Sequence, residues 1–211
     1  MGEKGGMMKR KFLSLFVLVL AAIAAQNATA VIVMEFEDLP LNHIPIKVGD
    51  SFITSGIQVQ VVPFKPVVGE EHNGVALVDD SRFSGGGLGQ ELMLDNANLK
   101  FLLNINGCPA CFVYLLFGRY GGDVNLGIND DIKRAPDFTN LQGTIGSAIV
   151  AVHGYPMGDI MAFGGNIQSF TIGGQDLFID RIIICGVVPE PATIILLGLG
   201  GVSVLLRRKK A

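Results

Sequence analysis

Between residues 31 and 186 the chain repeats one pattern: a short apolar run, then glycine, asparagine, aspartate or proline, then another run. Nothing in that interval carries apolar residues at the 3.6-residue spacing of an amphipathic helix, so helical folds are excluded for the body. The clearest runs are residues 31–37, 57–62, 99–105, 112–117, 145–152, 167–172 and 177–185. Each has the length and the period-2 or continuous apolar character of a single strand. In residues 99–105, Leu99, Phe101, Leu103 and Ile105 make one face while Lys100 and Asn104 mark the other, as on a half-buried sheet. Glycine fills the gaps at residues 85–89, 121–122, 164–165 and 173–174, which reads as a set of turns needing positive φ. The expected fold is all-β: a single antiparallel β-sandwich, jelly-roll-like, over residues 31–186.

Composition narrows the class. With 211 residues, 49% hydrophobic and 17% charged, the chain has enough apolar material for one core, and disorder, collagen, coiled coil and a polytopic membrane protein are excluded. The cations are unevenly placed. Eight of the 16 Lys and Arg lie in two clusters, Lys4, Lys9, Arg10 and Lys11, then Arg207, Arg208, Lys209 and Lys210. Residues 31–206 hold 8 basic and 18 acidic side chains. A body so acidic lacks the clustered cations that bind phosphate backbones, so nucleic acid is not an expected partner.

The two ends read as addresses. Residues 1–30 have a basic stretch to Lys11, an apolar run from Phe12 to Ala25 and a close of small residues at Ala28-Thr29-Ala30. These are the parts of a secretory signal helix with signal-peptidase cleavage after Ala30. Its apolar run is shorter than the roughly 20 residues of a stable membrane-spanning helix. At the other end, residues 187–211 form a tripartite tail: Pro189-Glu190-Pro191, an apolar stretch at residues 192–206, and four cations. At about 1.5 Å per residue the apolar stretch is too short to cross a bilayer comfortably, while the cations resist translocation and halt export. Pro189 and Pro191 hold the tripeptide extended, and Glu190 gives it one charge. A permanent tail anchor is the alternative reading.

This tail resembles the PEP-CTERM sorting signal of exopolysaccharide-producing Gram-negative bacteria. The resemblance implies that a membrane transpeptidase, exosortase, recognises Pro189, Glu190 and Pro191 and removes the hydrophobic helix, which sits only transiently in the membrane. The protein then reaches the cell surface or the extracellular matrix. A second resemblance concerns the body. Residues 35–40 and 173–182 resemble the first and last strands of the lectin-like or galactose-binding-like jelly rolls common in PEP-CTERM proteins. That implies neighbouring terminal strands and a carbohydrate-facing module, with exopolysaccharide or another glycan as the partner.

Several constellations invite chemistry. Glu35 and Glu37 alternate onto one strand face, with Asp38 following. If the terminal strands adjoin as the resemblance implies, Asp180 completes an all-oxygen set for structural calcium, although no cofactor is required. The alternative is a solvated acidic edge with Asp180 paired to Arg181 or another cation. The loops Asp79-Asp80 and Asn129-Asp130-Asp131 lack EF-hand spacing and read as turns. Cys108-Pro109-Ala110-Cys111 has dithiol spacing but links strands, so in an exported protein a structural disulfide is expected, within the motif or from one of its cysteines to Cys185. His43, His72 and His153 are scattered, which argues against zinc and against a catalytic base. No nucleophile elbow, metalloprotease helix or phosphate loop is present. Tyr114, Tyr120, Tyr155 and Phe138 are candidates for sugar stacking or for core packing. The expected function is a non-catalytic structural or adhesive role in the envelope; the alternative is a secreted polysaccharide hydrolase, which needs two carboxyl groups in one cleft.

Overall fold

The computed structural model describes residues 28–41, 44–80, 89–105 and 108–188, and its compact unit comprises Ala30–Val187. The signal helix and the C-terminal hydrophobic helix expected from the sequence lie outside the described residues. Among the described residues no helix is long and apolar enough to cross a membrane.

The strands, in chain order, are β1 (Ala28–Met34), β2 (Ile46–Lys47), β3 (Ser51–Thr54), β4 (Ile57–Pro63), β5 (Val75–Asp79), β6 (Glu91–Asp95) and β7 (Ala97–Leu102). They continue with β8 (Asn104–Ile105), β9 (Cys108–Ile128), β10 (Asp131–Ala135), β11 (Gly143–Ile145), β12 (Ala148–Gly154), β13 (Met157–Ile167) and β14 (Ser169–Val188). A short 3-10 turn, Phe138–Leu141, follows β10. The strand ladders are antiparallel, so the all-β antiparallel fold is as expected.

The layers, however, are one continuous ladder, because two strands serve both halves. β9 has 21 residues and β14 has 20. A straight strand of that length would run to about 70 Å, well beyond the diameter of a domain this size, so both must bend. Their first and second parts exchange partners. The leading part of β9 pairs with β13 and with the trailing part of β14; its trailing part pairs with β10 and with the leading part of β14. One wing therefore runs β11-β12-β13-β9-β14-β6-β5-β2, and the other runs β10-β9-β14-β7-β4-β3.

The bends fall at the glycine pairs. Residues 121–122 and 173–174 are not turns between strands, as their composition suggests, but sit inside β9 and β14. Register shifts mark β14 on both sides of Asp176, where Gly174 faces Val124 and Asp176 faces Gly121. Gly122 takes φ +76°, and a Cβ there would press on the Cβ of Gln175 at 2.6 Å. Only a residue without a side chain lets the two strands cross so closely at the kink.

Each wing buries one face. In the second wing, Val59, Phe101, Phe170 and Ile128 form one cross-strand row of the core, and Val61, Leu99, Ile172 and Leu126 form the next. In the first wing, Val150, Ala162 and Val113 occupy corresponding inward positions. The 3-10 turn adds Phe138, whose ring stands edge-on to Phe117 at 4.9 Å. This places Phe138 in the core and removes it from the candidates for sugar stacking.

Candidate functional site

The terminal strands do adjoin: β1 pairs with β14, and Ala28 and Ala30, the residues read as a cleavage site, open β1. The acidic set does not assemble as a metal site. β1 ends at Met34, and Phe36 takes φ +59°, which breaks the alternation that would have put Glu35 and Glu37 on one strand face. The left-handed kink is stabilised by what it achieves, since Phe36 is wholly buried. Each carboxylate then finds its own partner. Glu35 pairs with Arg181. Glu37 Oε1 accepts from Gln90 N at 2.8 Å and lies against Gly89, where any side chain would displace it. Asp38 accepts from Thr54 Oγ1 at 2.6 Å and Ser55 N at 2.7 Å. Burial opposes ionisation of Asp38, but these hydrogen bonds to the charged form outweigh it, so its pKa lies below the usual carboxylate value.

Asp180 lies in the bulge between Ile179 and Ile182, one step beyond the Ile179–Leu92 pair and so beside Glu91. Both are almost fully buried, at 4% and 1% exposure. Desolvation raises the Asp180 pKa; Arg181 offsets this in part, and Glu91, Glu35 and Glu37 push it further up. Among the described residues no three His, Cys, Asp or Glu side chains converge as a metal ion requires.

The second faces of the two wings differ in chemistry, and on the second wing Thr171, Asn98 and Asn125 are buried, at 1%, 3% and 1% exposure. On the second wing, one cross-strand row reads Gln60, Lys100, Thr171, Gly127 and Ile132, and the next reads Val62, Asn98, Gly173, Asn125 and Arg134. This is an amide- and hydroxyl-lined strip with two cations. Asn125 Nδ2 donates to Asn98 Oδ1 at 3.1 Å, and Asn98 Nδ2 donates to Pro63 O at 2.5 Å. Asn125 Oδ1 and Thr171 Oγ1 are buried without a partner among the described residues. The strip was not read from the sequence; its signal was the small and amide residues at the alternate positions of residues 97–102, 123–128 and 169–174.

The outward face of the first wing is apolar. Ile149, Phe163, Phe112 and Cys185 stand in one row, and Ala151, Met161, Tyr114 and Ile183 in the next. His153 Nδ1 meets Asp159 Oδ1 at 3.1 Å across β12 and β13, an exposed pair. Burial and Asp159 raise the Tyr114 pKa, with Arg181 opposing. His72 is joined to Phe64 through backbone hydrogen bonds, and His43 lies outside the described residues.

A buried cation the sequence reading passed over ties the kink together. Arg119 is 4% exposed. Its Nη1 donates to Pro136 O at 2.9 Å and its Nη2 donates to Gly122 O. Its guanidinium also lies 3.5 Å from Asp137 Oδ2 and 5.4 Å from the Tyr155 ring.

The three cysteines are free thiols in the structure. Cys108 and Cys111 both lie in extended β9, so their Cα atoms are about 10 Å apart, beyond the roughly 7 Å a disulfide tolerates. The expected bridge within the motif is thereby excluded. Cys111 instead meets β14: its Sγ donates to the Cys185 carbonyl at 3.3 Å. Burial pushes the Cys185 thiol pKa up, and Cys111 adds to the shift.

β14 ends at Val188 and leads directly into Pro189; Pro189, Glu190 and Pro191 themselves lie outside the described residues. The chain matches the family model of the PEP-CTERM protein-sorting motif over residues 187–210, so it carries that sorting motif after the β-domain. The motif marks it for export, for processing by exosortase and for sorting to the bacterial cell surface. No curated protein and no solved structure matches the chain.

Proposed function

We propose that the protein is a non-catalytic structural or adhesive component of the envelope or extracellular matrix of a Gram-negative bacterium. Signal peptidase removes residues 1–30 after Ala30. The tail then lodges briefly in the inner membrane, and exosortase, recognising Pro189, Glu190 and Pro191, detaches the apolar helix. The observation that carries this reading is the sorting motif at residues 187–210 placed directly after the last strand of the domain.

The body works without a resident cofactor and has exopolysaccharide or another glycan as its partner. What supports the non-catalytic reading over a hydrolase is the seclusion of Asp180, whose pKa burial raises, and of the adjacent Glu91. Asp180 and Glu91 are too buried for a polymer to reach, and glycosidases need such a pair open to a cleft.

Deletion of Pro189 to Pro191 tests the sorting step. The deleted form is expected to accumulate at full tail length in the inner membrane while the parent leaves it. Equal distribution and equal size of the two forms would overturn the proposal.

A further inference from the structure

We propose that, once exported, the protein forms a disulfide between Cys111 and Cys185, and that this bond clamps the final strand of the domain at the point where the sorting tail leaves it. The inference rests on export into an oxidising compartment, and it adds a pairing and a purpose that the sorting motif does not supply.

The geometry selects the pair. Ile184 faces Val113 and Cys185 faces Phe112, but Gly186 faces Ala110, so Cys111 is the extra residue of a bulge in β9. It is pressed against the peptide between Cys185 and Gly186, and its Sγ already lies 3.3 Å from the Cys185 carbonyl oxygen. Phe112 directly opposes Cys185, and Cys111 is its bulged neighbour; in a bulge two residues of one strand face one on the other, which brings Cys111 up to Cys185 as well. Cys108 is excluded from both alternatives. It sits three residues along an extended strand from Cys111 and pairs with Ile105 of β8, two positions past the Ala110 that faces Gly186. All three cysteines are partly exposed, so an oxidant can reach the pair and Cys108 remains as the single free thiol.

The bond closes by thiol–disulfide exchange with an external disulfide, carried by a protein or by a small thiol. One thiolate attacks a sulfur of that oxidant and expels its other sulfur as a thiolate; the second cysteine thiolate then displaces the remaining oxidant sulfur. The two cysteines lose two protons and two electrons in all, and the oxidant disulfide is reduced to two thiols.

The position explains the use. Pro189 follows Cys185 after only Gly186, Val187 and Val188. While the tail is held in the membrane and drawn into a protease-like enzyme, load on it passes into the end of β14. Strand ends open most readily in a folded domain. A covalent link to β9, 74 residues away in sequence, stops that opening at Cys185.

The test uses the protein recovered from the envelope fraction, alkylated without reduction, digested and analysed by mass spectrometry. The expected result is a cross-linked pair of peptides carrying Cys111 and Cys185, with Cys108 alkylated. Purified full-length chain incubated with oxidised glutathione gives the same cross-link, whatever the fate of the protein in the cell, so failure of the geometry is distinguishable from failure of export. C108S keeps the link, whereas C111S and C185S each lose it. Reduction lowers the Tm of the parent by roughly 10 °C and leaves the Tm of C185S unmoved. Three alkylated thiols after oxidation of folded protein, or a link that includes Cys108, would overturn the proposal.

Discussion

Replacing Arg119 tests whether the kink in β9 is held by one buried cation. Truncation to alanine strips Pro136 O and Gly122 O of their donor. A carbonyl left buried without a partner costs about 1 to 3 kcal/mol. The Asp137 contact at 3.5 Å and the stacking over exposed Tyr155 each add less than about 1 kcal/mol. Against these stands the desolvation of the guanidinium itself, which disappears with the side chain. The balance is a loss of about 3 kcal/mol, a large part of the 5 to 15 kcal/mol typical of a folded domain. In urea, with a slope of about 2 kcal/mol per molar, the midpoint falls by about 1.5 M. Arg119→Met refills most of the volume but leaves both carbonyls orphaned, so it recovers only the packing share. Arg119→Lys reaches one acceptor and recovers less than half. If the Ala and Met variants unfold within about 0.3 M of the parent, the carbonyls are satisfied by water or the strand straightens at no cost, and the reasoning fails.

Three further outcomes follow from the contacts around the first strand and the loop after β9. Asp38→Ala deprives the buried Thr54 hydroxyl of its acceptor, with an expected loss of about 1 to 2 kcal/mol at pH 7. Because the folded pKa of Asp38 lies below 3.8, its contribution is present above that value and is lost as pH falls through the folded pKa, so parent and variant converge in acid denaturation series. Asp180→Asn goes the other way: the folded pKa is raised, so the parent carries no penalty below 3.8 and loses stability as pH rises through the folded value. The variant should be the more stable protein at pH 7, the gap closing toward pH 3; a variant less stable at pH 7 would contradict the seclusion of that carboxyl. Asn129 holds φ +58° while its Oδ1 accepts from Gln168 N at 2.8 Å and Ser169 N at 3.2 Å, and its Nδ2 donates to Asn166 O at 3.1 Å. Asn129→Ala should cost about 2 to 3 kcal/mol in thermal unfolding, and Asn129→Gly should recover about 1 kcal/mol, the backbone share.

Alternation in the chain was enough to read the half-buried strands. Leu99, Phe101 and Leu103 face inward and Lys100 outward, because a period of two is imposed by the pleat itself. Alternation says nothing about how long a strand continues, and this is where the reading stopped short. A glycine pair suits a hairpin turn and suits a close crossing of two bent strands equally well; only the long-range partners, Gln175 over Gly122 and Asn98 over Gly173, decide which. The terminal strands were rightly placed together. The acidic residues lie near one another, but Glu35, Glu37 and Asp38 each take a partner of their own, because Phe36 leaves the extended region and turns the side chains that follow it. Arg119 was invisible for a related reason: its acceptors are carbonyls, which carry no side-chain signature in the sequence. The tail stood out most plainly, since its signal is the order of residue types alone: Pro-Glu-Pro, an apolar stretch and four cations.

Intact mass spectrometry of the protein taken from the cell surface tests the central claim most directly. The account predicts a chain that ends before Ile194, lacking residues 194–211 on most molecules, with the apolar stretch and its four cations left behind. Surface protein that still carries residues 194–211 would contradict it and leave a tail-anchored protein in its place.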